Sequence, residues 1–450
     1  MHLTDDTICA QATPRGTGGI GVFRVSGAAA FAICDSVLRH RRPCASHSGH
    51  TLHRAVVLAA DRTAIDDVLV AVFHAPRSYT GEDVVEISCH GGPVPMRGTL
   101  DALLEAGARL AEPGEFTFRA FMNGRMDLAQ AEAVCDLIAA QTVEAHRAAQ
   151  AQQSGKLSAA IEAIRDIFLG VLARIEASID FPEDVGDLDT ALCSSELARA
   201  REAIEQLLAT ANRGILYREG ASVVLAGKPN VGKSSLMNAL LRTSRAIVTA
   251  VPGTTRDVIE ETLNVDGIPV RLFDTAGLRE TDDLVEKLGV ERTNASVETA
   301  DLILAVLDSS EAPDADEIAF LAGIKDRSHI VVANKSDRIA SVSLLAGAIA
   351  VSAVTGAGLD ALEASIAERL TGGDVSHPTG VVVTHSRHRS ALLRALAALD
   401  EADATLAAAL PADLLAIDVR GAIDAVEDVT GRSTTDDIIN EIFSRFCIGK

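Results

Sequence analysis

An eight-residue stretch constrains this chain more than any other. GKPNVGKS (227–234) follows the apolar run ASVVLA and precedes SLMNALL, an amphipathic helical stripe. Strand, glycine-bearing loop and helix in that order make a phosphate cradle. Gly227 and Gly232 permit the tight turn, and the loop's N–H groups and the helix N-terminus then face anionic oxygens. In that frame Lys233 can reach the β- and γ-phosphates and Ser234 can ligate Mg²⁺, with Asn230, Val231 and Ser235 on the same loop. The flanking chain keeps the matching rhythm. ASVVLAG, VRLFDTAG, DLILAVLD, HIVVAN and GAIAVSA are short apolar runs separated by helical stretches, as in βα units around a parallel sheet.

Three further motifs stand at strand ends. DTAG (274–277) sets Asp274 near Mg²⁺, with Thr275 and Ala276 leading to Gly277 near the γ-phosphate. NKSD (334–337) offers Asn334 to the base, with Lys335 beside it in the nucleotide-binding stretch, and the Asp337 carboxylate can accept two guanine N–H bonds that adenine cannot supply. SAVTG (352–356) brings the Ser352 and Ala353 backbone to the guanine carbonyl. Four motifs in this order resemble a Ras-like GTPase, which implies a GTP substrate.

The departures from that pattern carry mechanistic information. Where many GTPases have a glutamine after DxxG to orient water, this chain has Leu278, which cannot hydrogen-bond. Asn230 offers a neutral oxygen that could ligate a monovalent cation, or it could simply stabilise the loop. In TAVPGTTRD (249–257), backbone oxygens around Gly253, Thr254 and Thr255 could complete a K⁺ site, and the Thr255 hydroxyl can join Ser234 on Mg²⁺. Glu286 could hold the attacking water, and spacing alone does not separate it from Glu280 or Asp283.

Around this core the texture changes. At 450 residues the chain has room for two or three domains. Residues 1–120 read as α+β, 121–215 as helical, 216–378 as the α/β nucleotide domain, and 379–450 as helical again. One helical domain split by an inserted α/β domain fits this order, and so do two separate helical domains. Phe181-Pro182 should interrupt the first helical segment. A last helix is expected from Thr434, with a capping box to Asp437 and an apolar face of Ile438, Ile439, Ile442, Phe443 and Phe446. Beyond it lies Cys447 in the terminal FCIGK, open to three readings: a lipidation box, a packed thiol, or a thiol that does chemistry.

Composition narrows the partners. The net charge of −22, most of it between the two ends, argues against a generally basic nucleic-acid clamp and sends any RNA to the ends or to a partner. Seven scattered cysteines without metal-like spacing suit reduced thiols. No signal peptide is legible at the start, and no run of about 18 uncharged apolar residues exists, so a cytoplasmic chain with no membrane partner is expected.

SYTGEDVVEISCHGGP (78–93), PGEFTFRAFMNGRMDLAQAEAV (113–134), GKPNVGKSSLMNALL, VPGTTRD, DTAGLRET and FCIGK together resemble the MnmE (TrmE) family of bacterial tRNA-modification GTPases, over essentially the whole length. The resemblance implies a multidomain α+β and α/β protein, with an N-terminal folate-binding domain, a discontinuous helical domain and an inserted P-loop GTPase domain. It implies a homodimer that works in a heterotetramer with the FAD-binding flavoprotein MnmG. The product would be a carboxymethylaminomethyl or aminomethyl group on carbon 5 of the wobble uridine of certain tRNAs. The one-carbon donor would be 5,10-methylene- or 5-formyl-tetrahydrofolate. It further implies K⁺-dependent GTP hydrolysis, with K⁺ held by Asn230, Thr249, Val251 and Thr254, the nucleotide also meeting Ala250 and Pro252, and Glu286 positioning water. Folate would fall to Arg24, Glu86, Arg125 and Lys450, where the family often has lysine at position 125, and Cys447 would stand near the one-carbon chemistry. A ribosome-assembly GTPase would explain the central domain alone. A folate-dependent aminomethyl transferase acting on protein would leave the GTPase machinery without a purpose.

Overall fold

The computed structural model describes residues 6–243, 261–274, 300–338, 347–373 and 380–450. The chain packs as two units, Met1–Cys135 with Asp424–Lys450, and Asp136–Ile423. Both α+β and α/β architectures are present, in agreement with the two textures of the sequence.

The first unit holds a seven-stranded sheet. Its strands are β1 (Ile8–Gln11), β2 (Ile20–Ser26), β3 (Leu38–Arg39), β4 (Thr51–Leu58), β5 (Ala64–Phe73), β6 (Val84–His90) and β7 (Arg109–Leu110). Their order is β3-β4-β5-β6-β2-β1-β7, antiparallel except for the β1–β7 pair. Strand alternation selects one face for the core: Val68, Val70 and Val72 of β5 are buried at period two. They meet Phe23, Val25, Val85 and Ile87, with Ile33 and Leu103 supplied by the helices Ala30–Val37 and Pro93–Glu105. Each such side chain contributes about 1.5–3 kcal/mol through burial.

The chain's last helix, Asp436–Ser444, belongs to this unit. Phe443 and Phe446 pack with Phe118, Leu128 and Val134, and the Phe118 and Phe443 rings meet edge to face at 5.4 Å. Two expectations are corrected here. The N-cap is Thr435 rather than Thr434, and it makes no side-chain cap bond. Thr434 stands one residue before the cap, and its hydroxyl donates to the carbonyl oxygen of Asp428 at 3.2 Å. Ile438 points outward and is exposed, so the docking face is carried by Ile439, Ile442, Phe443 and Phe446. The tail then tucks in. Gly449 is buried at φ +96°, where a Cβ would come within 2.4 Å of the Gln11 carbonyl oxygen.

The second unit holds a six-stranded sheet of β8 (Ala221–Ala226), β9 (Glu261–Val265), β10 (Ile268–Asp274), β11 (Leu302–Asp308), β12 (His329–Asn334) and β13 (Ile349–Ala350). The order is β13-β12-β11-β8-β10-β9, parallel but for β9 against β10. Residues Leu302 to Leu307 of β11 are all buried, which is why DLILAVLD reads as a continuous apolar run rather than an alternating one. The helix Lys156–Asp180 buries Leu157, Ile161, Ile164, Phe168, Val171 and Ile175 at spacings of three and four, and stops just before Phe181-Pro182, where proline disfavours helical backbone in its predecessor. Among the described residues no helix is long and apolar enough to cross a membrane.

Candidate functional site

In the second unit, β8 ends at the loop and the helix Lys233–Thr243 begins directly after it. Gly227 takes φ +151° and Gly232 φ +94°. A Cβ at Gly227 would stand 2.3 Å from the Val306 carbonyl oxygen, and one at Gly232 would stand 2.3 Å from Asn334 Nδ2, so neither site admits a side chain. Lys233 is buried, and its Nζ donates to the carbonyl oxygens of Gly227 and Lys228, both at 2.8 Å. The ammonium is thus kept at the loop's centre. Ser234 and Ser235 are exposed in the first turn, where the orphan N–H groups of the helix lie.

Loop and base end share one cavity of about 550 Å³, lined among others by Asn230, Gly232, Lys233, Ser234, Ser235, Asn334, Lys335, Asp337 and Ala353. The NKSD and SAVTG motifs brace each other and the loop. Asn334 Nδ2 donates to the carbonyl oxygen of the buried Val231 at 2.9 Å, and Asn334 Oδ1 accepts from Ala353 N at 3.2 Å. The Ser352 hydroxyl donates to Asp337 Oδ1 at 2.6 Å, which lowers that exposed carboxyl and leaves Oδ2 for a ligand. Asn230, an exposed non-glycine residue at φ +65°, gives its carbonyl to Lys335 Nζ at 2.7 Å, which leaves its side-chain oxygen available to a cation. Thr249, Ala250, Val251, Pro252, Gly253, Thr254, Thr255, Thr275, Ala276, Gly277 and Glu286 lie outside the described residues, and of Asp274 only the backbone, ending β10, is described.

The first unit brings together three of the four residues expected to hold folate. Arg24 and Glu86 form a mostly shielded ion pair of 2.7 Å. The Lys450 amine is held below its ordinary value of 10.5 by burial and by repulsion from Arg24, with Glu86 opposing. The Arg24 guanidinium lies over the rings of Tyr79 and Phe116, 5.0 and 5.6 Å from their centroids. Its Nη1 is buried and meets no acceptor among the described residues, a donor left over for a ligand. Arg125 is exposed, and its stem runs along Gly81, where a Cβ would approach Arg125 Cγ to 3.3 Å. Cys447 is exposed, while its neighbour Phe446 is buried, so a packed thiol is not what the tail provides.

Sequence reasoning missed Asp308, which ends β11 beside the pocket. Burial raises its carboxyl, but the Lys335 ammonium and the Ser310 hydroxyl and N–H outweigh burial and pull it down to about 2. The available signal was a carboxylate closing an apolar strand. Tyr79 and Phe116 were missed too, since nothing local ties them to Arg24.

The chain is similar to known proteins along its length. A family model described as the MnmE helical domain matches residues 128–447, and one described as the GTP-binding protein TrmE N-terminus matches residues 7–125. The chain is similar to proteins named tRNA modification GTPase MnmE. That of Geobacter metallireducens is 47% identical over 100% of both chains. That of Chloroflexus aurantiacus is 47% identical over 99% of this chain and 100% of its own, and that of Acetivibrio thermocellus 41% identical over 99% of each.

Proposed function

Since the chain belongs to the MnmE family of tRNA modification GTPases, we propose that it hydrolyses GTP to GDP in a K⁺-dependent manner and takes part in modifying carbon 5 of the tRNA wobble uridine. The observation that carries this reading is the single cavity joining the phosphate loop at Lys233 to a guanine-type base end at Asn334 and Asp337. Lys233 meets the β- and γ-phosphates, and the Asp337 carboxylate accepts from the base. When bound, Mg²⁺ neutralises charge on the β- and γ-oxygens and K⁺ stands in for an arginine finger. Ser234 and Thr255 would hold the first, and Asn230, Thr249, Val251 and Thr254 the second. Leu278 being unable to orient water, Glu286 takes that role.

A tetrahydrofolate derivative would bind the first unit. The residues fit it: a carboxylate suited to an amidine-like pterin edge, the leftover Nη1 of Arg24, a half-buried amine at Lys450, and two aromatic faces. Arg125 would meet its polar tail, and Cys447 would act beside the one-carbon unit. The segments 1–120, 121–215, 216–378 and 379–450 would be the folate, helical, GTPase and second helical parts of a cytoplasmic homodimer that assembles with the flavoprotein MnmG.

The test is reconstitution. The purified chain, its flavoprotein, GTP, the folate derivative, glycine or ammonium, and tRNA are combined and the tRNA nucleosides analysed. A modified uridine that disappears with Cys447→Ser, while GTP hydrolysis persists, is expected. Rapid hydrolysis with no nucleoside change would refute the tRNA role.

A further inference from the structure

Among the described residues six non-glycine positions have positive φ, and two of them line the nucleotide cavity. Asn230 at +65° sits on the phosphate loop and Lys335 at +64° on the base-recognition turn. Asparagine tolerates this region well, whereas for lysine it is costly and persists only where the surroundings enforce it. The two are bonded directly, Lys335 Nζ donating to the Asn230 carbonyl oxygen at 2.7 Å. What anchors Lys335 itself is Asp308, whose Oδ2 accepts from the same ammonium at 2.6 Å. Both side chains are largely shielded, 16% exposed for Asp308 and 22% for Lys335, so the pair is less screened than a surface pair.

We propose that Asp308 is a positioning residue for the nucleotide pocket: through Lys335 it holds the phosphate loop in the left-handed turn that a nucleoside diphosphate or triphosphate requires. Asp308 is well placed to do so. Its Oδ1 is pinned by Ser310, which donates from N at 3.0 Å and from Oγ at 2.7 Å, leaving Oδ2 aimed at the ammonium. Parallel register sets Asp308 opposite Asn334, one residue before Lys335. The strands need no further staple there, because Ser309 N already bonds the Asn334 carbonyl at 2.8 Å. Without the carboxylate the ammonium swings toward water, the Asn230 carbonyl loses its donor, and the loop relaxes out of its left-handed turn. The role rests on reading this cavity as a GTP site. It concerns binding, before any hydrolysis or activating cation.

The experiment is titration of the full chain with a fluorescent GDP analogue in Na⁺ buffer containing Mg²⁺, so that K⁺ plays no part. D308N is expected to raise Kd about tenfold, the value of one charge-assisted bond. K335M should weaken binding at least as much, and D308N/K335M should be no weaker than K335M alone, since Asp308 acts through that lysine. Thermal melts of all four proteins accompany the titrations. Parental affinity in D308N overturns the proposal, and so do losses that multiply in the double variant, whatever the melts show. A parent that binds no guanine nucleotide brings down the GTP reading and this proposal together, whereas a binding parent with an indifferent D308N brings down this proposal alone.

Discussion

Arg24 and Glu86 stand directly opposite each other across the β2–β6 ladder, and Nε and Nη2 of Arg24 both donate to Oε1 of Glu86, at 2.9 and 2.7 Å. Cross-strand neighbours of opposite charge hold each other in place before any ligand arrives. Here the pair leaves Arg24 Nη1 buried and without an acceptor among the described residues, in the region where Lys450 feels both charges.

Glu86→Gln keeps the shape but removes the charge. Binding of tetrahydrofolate derivatives, read by calorimetry, should weaken about 10–100-fold, the worth of a charged hydrogen bond. Turnover of GTP should be unchanged. Equal folate affinity in both proteins would remove this cluster from the folate site.

Asn230→Ala removes the side-chain oxygen and leaves the backbone carbonyl that Lys335 holds. GTP hydrolysis measured in matched KCl and NaCl buffers should lose its preference for K⁺, while GDP still binds. A variant stimulated as strongly as the parent would show that the cation sits elsewhere.

Lys450 gives a pH signature. Burial and Arg24 hold its amine below 10.5, so the folded chain binds fewer protons than the unfolded one between that lowered value and 10.5. Stability therefore rises with pH across that window, and below it the cost of the half-buried charge is fully present. Lys450→Met should melt no lower than the parent at pH 7, and any advantage should shrink as pH approaches 10.5. An advantage that grows with pH would contradict this assignment.

Arg119 is fully buried, bonded at 3.0 Å to the equally buried Glu115 and paired with Asp6 and Glu82. Burial raises the Glu115 carboxyl, but bonds from Arg109, the Glu112 N–H and Arg119 outweigh it and keep it ionised. Arg119→Met would leave the buried Glu115 carboxylate short of a cation and should cost about 3–5 kcal/mol in urea unfolding of the first unit. A loss below about 1 kcal/mol would mean that Arg109 and water compensate.

Several of these features are legible in the amino-acid order alone. The phosphate loop, the continuous apolar β11 and the helix break at Phe181-Pro182 depend on neighbours in sequence, and hydrophobic period, glycine and proline act over just that range. The base end is legible too, because the NKSD motif that carries Asn334 and Asp337 closes an apolar strand.

Other features are decided by tertiary structure. Arg24 lies 62 residues from Glu86 and far from Lys450, and only sheet register and the docked tail bring the three together. Asp308 reads locally as the end of a strand, and it becomes the anchor of Lys335 only because β11 and β12 run in parallel register. Thr434 has the spacing of a capping residue but stands one residue before the helix's cap, where its hydroxyl donates to Asp428, while Cys447 could have been core and is exposed. Local pattern sets backbone shape through short-range sterics and periodic burial, but ion pairs, caps and exposure depend on which distant group arrives first, and that is settled only when the sheets and helices have packed.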